Sequence, residues 1–360
     1  MPFPIEPPIE PMLAQMAEHL PADGHFLFEP KWDGFRAIVF RGKDDLYIQS
    51  RDLKPFDRYF PELHQALLAR LPANCVVDGE IVIVTPRGLD FDALQLRLHP
   101  AASRIAKLAQ ASPASFVVFD VLALNGRTVM ATPQGDRRTL LEGLLEDVEA
   151  PLYLTPMTRQ ARLAAQWLQQ FEGAGLDGVI AKPVLSPYMP GKRAMLKVKQ
   201  VRTADCVVAG FRWYKETRDA VGSLLLGLYD DRGVLHHVGV ASAFSMAMRK
   251  GLAQDLEPLR AGALDEHPWR AWTSEAAQAT TRMPGGQSRW SAGKDLSWEA
   301  LRIERVCEVK YDHLQGDRFR HATHFLRWRP DKPPAACRYD QLEVTAPYAL
   351  KKVFGAARTR

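Results

Sequence analysis

The chain has 360 residues, 46% hydrophobic and 25% charged, the make-up of a folded globular protein, which excludes wholesale disorder and a fibrous repeat. Its 47 Lys and Arg against 42 Asp and Glu leave a formal charge of +5, a mild surplus that permits a polyanionic partner without demanding one. The length suits about two domains, each with its own core.

The opening segment to Pro11 is rich in proline and predicts an extended stretch along the surface. It carries proline and acid where a signal peptide needs a basic and then an apolar region. From Phe26 the pattern changes to short apolar or alternating runs bounded by Gly, Asp and Pro. Phe26 to Pro30, Phe35 to Phe40, Leu46 to Ser50, Cys75 to Val84 and Phe116 to Leu124 all read as strands. Pro61 to Arg70 and Thr158 to Phe171, the latter after a Thr cap, each place Leu or aromatic residues on one helical face. Strands and helices mix without a regular βαβ rhythm, so this part is α+β.

The character shifts near Val201 to Ala204. Asp205 to Tyr214, Ser223 to Tyr229 and Val234 to Ala241 read as successive strands, the last two joined by Asp230-Asp231-Arg232-Gly233, a hairpin signal. A helix at Ser245 to Leu259 follows, then a polar stretch to about Ser297 with a Pro284-Gly285-Gly286 turn, then strands at Val306 to Tyr311 and Thr323 to Trp328. Short strands with one inserted helix suggest a small β-barrel, for which the OB-fold is the natural candidate. Cys75, Cys206, Cys307 and Cys337 form no CxxC pair, which argues against a zinc ribbon or a disulfide scaffold and for a reducing compartment. No apolar run reaches the ~18 residues of a membrane span. A cytoplasmic protein without a membrane partner is expected.

The residues that carry chemistry begin at Glu29-Pro30-Lys31-Trp32-Asp33-Gly34-Phe35-Arg36. A K-x-D-G match alone is weak, with about 0.05 chance matches in a chain of this length. Its context raises it. Lys31 falls directly after a strand, Asp33-Gly34 allows a sharp turn, and Glu29, two residues back, shares its face. A lysine amine is a nucleophile only when unprotonated, and neighbouring cations disfavour its ammonium form. Lys197 and Lys199 supply such cations on one face of Met195 to Lys199, although alone that pattern is a solvated strand face.

Val77 to Val82 puts Glu80 inside an apolar strand, where a charge is costly unless paired, hydrogen-bonded or metal-bound. Leu176 to Lys182 repeats the Asp-Gly scheme at Asp177-Gly178, and oxygen ligands of this kind suit Mg²⁺. Phe119, at the end of an apolar strand, is either core or a platform for a purine. Arg318 to Lys332 is the most basic segment. His321 and His324 lack a zinc-ligand spacing with Cys307 and Cys337, and the arginine forks suit phosphate oxygens.

In this order EPKWDGFR, SRDLKPF, VVDGEIV, FVVFDVL, LDGVIAK, LKVKQVRTADCVV and RHATHFLRWRPDK resemble the covalent nucleotidyltransferases, and within them the ATP-dependent DNA ligases. The likeness is to the stand-alone bacterial ligase C type and to the ligase module of ligase D, from about Pro8 to about Lys332. It implies an adenylation domain at 1–200, an OB-fold domain at 201–340 and a basic tail at 341–360. It implies ATP with Mg²⁺ or Mn²⁺, and nicked double-stranded DNA sealed by a monomer in DNA repair, with repair or end-joining proteins as partners.

By the same resemblance Lys31 takes AMP from ATP, with Lys197 and Lys199 as further catalytic residues on the α-phosphate. Glu29 lies near the adenine amino group, Arg36 and Arg51 contact ribose and phosphates, Glu80 the ribose hydroxyl, and Phe119 stacks on adenine with Ile180 opposite. Arg329 and Lys332 orient pyrophosphate, while Glu80 and Asp177 hold metal. Where the family usually has glutamate, Asp177 keeps the carboxylate on a shorter arm. Either Lys192 or Arg193 fills the basic position before the lysine pair. The segment Lys199 to Ala204 is the expected hinge.

An RNA ligase or capping-type nucleotidyltransferase is the nearest alternative, and a barrel that only binds nucleic acid is the non-enzymatic one. Only 30 residues precede Lys31, so no large DNA-encircling domain is expected before it, and DNA grip is expected to be weak and salt-sensitive.

Overall fold

The computed structural model describes residues 3–86, 88–200, 202–215, 218–273, 297–312, 314–342 and 348–355. The chain divides into two units, Met1–Gln200 with Thr345–Arg360, and Val201–Val344.

The first unit begins with β1 (Leu13–Met16), β2 (Phe26–Pro30), β3 (Phe35–Arg41), β4 (Leu46–Ser50), α1 (Pro61–Arg70) and β5 (Cys75–Thr85). It continues through β6 (Gly88–Leu89), α2 (Phe91–Leu96), α3 (Ala102–Ala111), β7 (Ala114–Leu124), β8 (Arg127–Thr128) and α4 (Gln134–Leu144). The last elements before the second unit are β9 (Leu152–Leu154), α5 (Ala161–Gln170), β10 (Val179–Pro183) and β11 (Arg193–Val198). Two sheets result. One runs β1-β11-β10-β2; the other runs β4-β3-β5-β7-β8, with β6 added to β5 and β9 to β7.

β5 and β7 read as near-continuous apolar runs because both of their faces are buried, which removes the alternation of a half-exposed strand. One face of the larger sheet packs on α1, α2 and α4 through residues such as Val39, Leu63, Leu67, Leu94, Phe116 and Leu141. Two glycines of the quoted motifs mark close approaches between strands. A Cβ at Gly34 would run into the Ile81 carbonyl and the Glu80 side chain, and one at Gly178 (φ 133°) into the Val198 carbonyl.

The second unit holds β12 (Arg202–Trp213), β13 (Val221–Tyr229), β14 (Leu235–Ala241), α6 (Met246–Leu256), β15 (Glu299–Ala300), β16 (Val306–Tyr311), β17 (Leu314–Gln315), β18 (Arg318–Phe319) and β19 (His324–Trp328). The sheet order is β14-β13-β12-β16-β19, and a bridge from Ala241 to Thr323, just before β19, joins its two edges. This is the expected small barrel of the OB type, filled by Val207, Phe211, Leu224, Leu226, Val238, Trp269 and Val309. The hairpin at Asp230 to Gly233 forms as read: Gly233 takes φ 77° and Asp230 Oδ1 accepts from the Arg232 and Val234 amides. Ser245 caps α6 by accepting from the Met248 amide.

Several expectations differ. The N-terminal segment to Pro11 is only partly a surface run: Glu6, Pro8 and Glu10 are exposed, but Ile9 and Pro11 are buried and the Ile9 backbone is hydrogen-bonded to the Gln49 side chain. Thr158 does not cap α5, because its backbone bridges to Phe28 and the helix begins at Ala161. Within the segment read as a basic tail, α7 (Leu350–Gly355) buries Leu350 and Val353 in the core of the first unit. The Pro284-Gly285-Gly286 turn and Arg358 and Arg360 lie outside the described residues. All four cysteines are buried and unpaired with one another.

Candidate active site

A cavity of about 170 Å³ opens in the first unit between residues of its two sheets. Eight of the residues picked from the sequence line it: Glu29, Lys31, Arg36, Arg51, Glu80, Phe119, Ile180 and Lys197. Of the two basic candidates left open, Arg193 lines it as well.

Strand register explains much of this convergence. Ile180 on β10 is opposite Glu29 on β2 and opposite Lys197 on β11, so the three stand abreast across one sheet. In the other sheet Arg36 is opposite Glu80. Lys31 leaves β2 and is bound to the Asp177 segment through its backbone: its N–H donates to the Gly178 carbonyl (2.8 Å) and its carbonyl accepts from the Asp177 amide (2.9 Å). The side chains then meet. Lys31 Nζ lies 2.5 Å and Lys199 Nζ 3.0 Å from Asp177 Oδ2.

Glu29 belongs to a separate charge cluster. Glu29 is 2% exposed, and its carboxylate accepts from Lys182 Nζ (2.8 Å) and approaches Arg138 Nη1 (3.4 Å). Lys182 Nζ also donates to the Phe119 carbonyl at 2.7 Å. Lys182 Nζ and the Arg36 guanidinium lie 4.9 and 4.8 Å from the Phe119 ring centre. Arg36 is locked by a fork to buried Asp78 (2.7 and 2.6 Å), which also accepts from the Tyr188 hydroxyl at 2.6 Å.

Burial pushes the Glu80 carboxyl up to about 7, against the pull of Arg36 and Lys31. Burial also works to raise Asp177, but Lys31 and Lys199 outweigh it and hold this acid below its ordinary value. Lys197 is lowered by burial and then by the neighbouring charges of Lys31, Lys199 and Arg193. The cavity is thus lined by apolar and aromatic side chains together with several cations, a combination that suits a nucleotide.

Arg329 and Lys332 come together in the second unit. Arg329 Nη1 lies 2.9 and 3.0 Å from the two oxygens of Asp205, and Lys332 Nζ lies 2.8 Å from Asp205 Oδ2. Arg329 also forks to Asp331, which holds that acid down to about 2.

A model of the ATP dependent DNA ligase domain matches residues 11–199, and one of the ATP dependent DNA ligase C terminal region matches residues 217–332. The chain belongs to the ATP-dependent DNA ligases. It is similar to DNA ligase C2 of Mycolicibacterium smegmatis, at 52% identity over 95% of this chain and 96% of that protein. To DNA ligase C of Mycobacterium tuberculosis it is 49% identical over 99% of this chain and all of that protein. A solved structure from a study of Lig E DNA ligases and their minimal DNA-binding scaffold shares the fold. Its TM-score is 0.54 at 17% identity, covering 88% of this chain and 99% of that one.

ATP is therefore the nucleotide this ligase uses. Sequence reasoning passed over Arg138 and gave Lys182 no role. Arg138 stands in no spacing that announces a site, being 109 residues from its partner Glu29 in a helix whose charges look solvated, whereas Lys182 closes the quoted LDGVIAK segment two residues after Ile180 on the same strand. Among the described residues no group of three or more His, Cys, Asp or Glu is placed to hold a metal ion. A Mg²⁺ ion is ordinarily held by one or two carboxylates together with phosphate oxygens and water. Glu80, a desolvated carboxyl on the cavity wall, fits such a role, whereas Asp177 is engaged with two lysines. Among the described residues no helix is long and apolar enough to cross a membrane.

Proposed function

We propose that Lys31 is the nucleophile of this ligase. The unprotonated Nζ attacks the α-phosphorus of ATP, the bond to the bridging oxygen of the β-phosphate breaks, pyrophosphate leaves, and the nitrogen gives up a proton to form lysyl-AMP. A 5′-phosphate oxygen at a nick then takes AMP from Lys31. Finally the 3′-hydroxyl attacks the phosphorus of that 5′-phosphate, its bond to the oxygen bridging to AMP breaks, and AMP and a proton leave as the strand is sealed.

The observation that carries this reading is Lys31 on the wall of a cavity shared with the Lys197 cation, Glu29 and the Phe119 ring. Phe119 and Ile180 hold the adenine, Glu29 and its partners face the base, and Arg36 and Arg51 bind ribose and phosphate. Lys197 and Lys199 compensate charge on the α-phosphate. Glu80 contacts the ribose and, with Asp177 once the phosphates draw its lysines away, holds a divalent cation. When bound, Mg²⁺ or Mn²⁺ neutralises phosphate charge. Arg329 and Lys332 orient pyrophosphate, which requires them to exchange Asp205 for the leaving group. The ligase acts as a cytoplasmic monomer on nicked double-stranded DNA in repair.

Incubation with α-labelled ATP and Mg²⁺, followed by nicked DNA, tests the assignment. Wild type should carry the label on Lys31 and pass it to the nick, and Lys31→Ala should lose both reactions entirely. A labelled or sealing-competent Lys31→Ala protein refutes it.

A further inference from the structure

We infer that Phe354 is a positioning residue for Lys31, brought to the nucleotide-binding unit by the segment that follows the barrel; this rests on the reading of Lys31 as nucleophile. On α7 the apolar residues fall at Leu350, Val353 and Phe354, the spacing of one helical face, while Lys351 and Lys352 are exposed. That face packs on the core containing Phe28, Trp32, Trp167 and Phe171.

The contact with Trp32 is specific. The Phe354 ring stacks nearly parallel on Trp32 (5.2 Å, 17°) and on Tyr153 (4.2 Å, 16°). Trp32 is 4% exposed, and its indole N–H donates to Thr155 Oγ1 at 2.8 Å. Stack and hydrogen bond together fix the plane and the direction of this indole. Trp32 is joined by one peptide bond to Lys31, so a fixed Trp32 limits how Lys31 can turn.

The same C-terminal segment also holds the other side of the nucleophile. The Tyr348 amide donates to the Gly173 carbonyl at 3.1 Å, and its ring lies 5.4 Å from Phe171. The side-chain amide of Gln200, where the chain leaves for the barrel, lies 3.0 Å from the Leu168 carbonyl and 3.3 Å from Glu172, and donates to both once its O and N are exchanged. Departure and return are therefore both anchored at Leu168 to Ala174. From there the chain runs through Gly175 and Leu176 to Asp177, which binds Lys31 by backbone and side chain. Lys31 thus lies between two supports, Trp32 and Asp177, and residues 348–355 brace both.

In-line attack tolerates little displacement, and a misplacement near 1 Å costs roughly a hundredfold. Lysyl-AMP formation needs Lys31 as the attacking group, whereas sealing of a nick that already carries AMP does not. The experiment compares the two reactions in the full chain, at saturating ATP, for Phe354→Ala, Phe354→Leu and Phe354→Tyr, with thermal midpoints alongside. Phe354→Ala should slow lysyl-AMP formation about 10- to 100-fold and leave sealing of the pre-adenylated nick within about threefold.

Phe354→Tyr, which keeps the flat ring, should restore the rate. Phe354→Leu keeps the apolar packing and the midpoint without the stack, and should remain slow. Wild-type adenylation in Phe354→Leu, or equal loss of both reactions in it, overturns the inference. Absence of label on Lys31 in the wild type instead refutes the nucleophile reading beneath it.

Discussion

Two clusters in the nucleotide-binding unit share one arrangement, a single carboxylate held between two cations, yet they differ in exposure. Glu29 with Lys182 and Arg138 has side chains 3, 3 and 4% exposed, and Asp177 with Lys31 and Lys199 has side chains 11, 23 and 12% exposed. The first is enclosed by protein, where a charge without a partner is expensive, so its value lies in holding the cavity wall around Glu29 in one geometry. The second is open enough for a ligand phosphate to compete for its lysines. Asp205 with Arg329 and Lys332, at 12, 20 and 24%, matches the second cluster although it belongs to the other unit. Partial exposure, rather than charge count, separates ion pairs that can exchange partners from those that cannot.

The largest expected effect is on the open cluster. Asp177→Asn leaves Lys31 without its acid, and the rate of lysyl-AMP formation should fall about 100-fold. A near-normal rate in a single-turnover labelling assay would make that pair an ordinary salt bridge. The closed cluster should fail in stability first. Arg138→Met leaves Glu29 with one buried cation and should cost about 3 kcal/mol in urea unfolding, since breaking a buried pair strands the remaining charge. A loss of adenylation at unchanged stability would reverse the contrast.

A buried titratable group without an acid partner provides the third test. His237 is pushed down to about 3 by burial and then by Arg318 and Arg212, so it stays neutral in the fold. The unfolded chain takes up a proton below about pH 6.5 and the folded one does not, so this contribution is present above pH 6.5 and lost as pH falls toward 3. Between pH 6.5 and 4 wild type should lose up to about 3 kcal/mol more than His237→Gln. Parallel stability curves for the two proteins would show that the histidine is charged in the fold. The smallest effect belongs to Asp205→Asn, whose adenylation rate should stay within about threefold of wild type or rise, because it frees Arg329 and Lys332 rather than removing them. A loss matching that of Asp177→Asn would mean that Asp205 itself works in the reaction.

Much of this was legible before folding. Lys31 after a strand, Glu80 in an apolar run and the Lys197 and Lys199 alternation are local patterns, set within a few residues by the periodicity of a strand. So are the barrel strands and the Asp230 to Gly233 turn. The order of the quoted segments, matched by the ligase domains at 11–199 and 217–332, identified the family without coordinates.

What only the tertiary structure decided is which distant groups meet. Arg138 reaches Glu29 across 109 residues and Lys182 reaches the Phe119 carbonyl across 63, and no periodicity spans such intervals. Phe354 is the sharpest case. In the chain it stands in a short basic segment that reads as a tail, and only folding places its ring on Trp32, beside the lysine that the sequence had already singled out. Local pattern determines what a residue can do, because backbone geometry repeats over two to four positions. Partners are chosen by burial, which is a property of the folded whole.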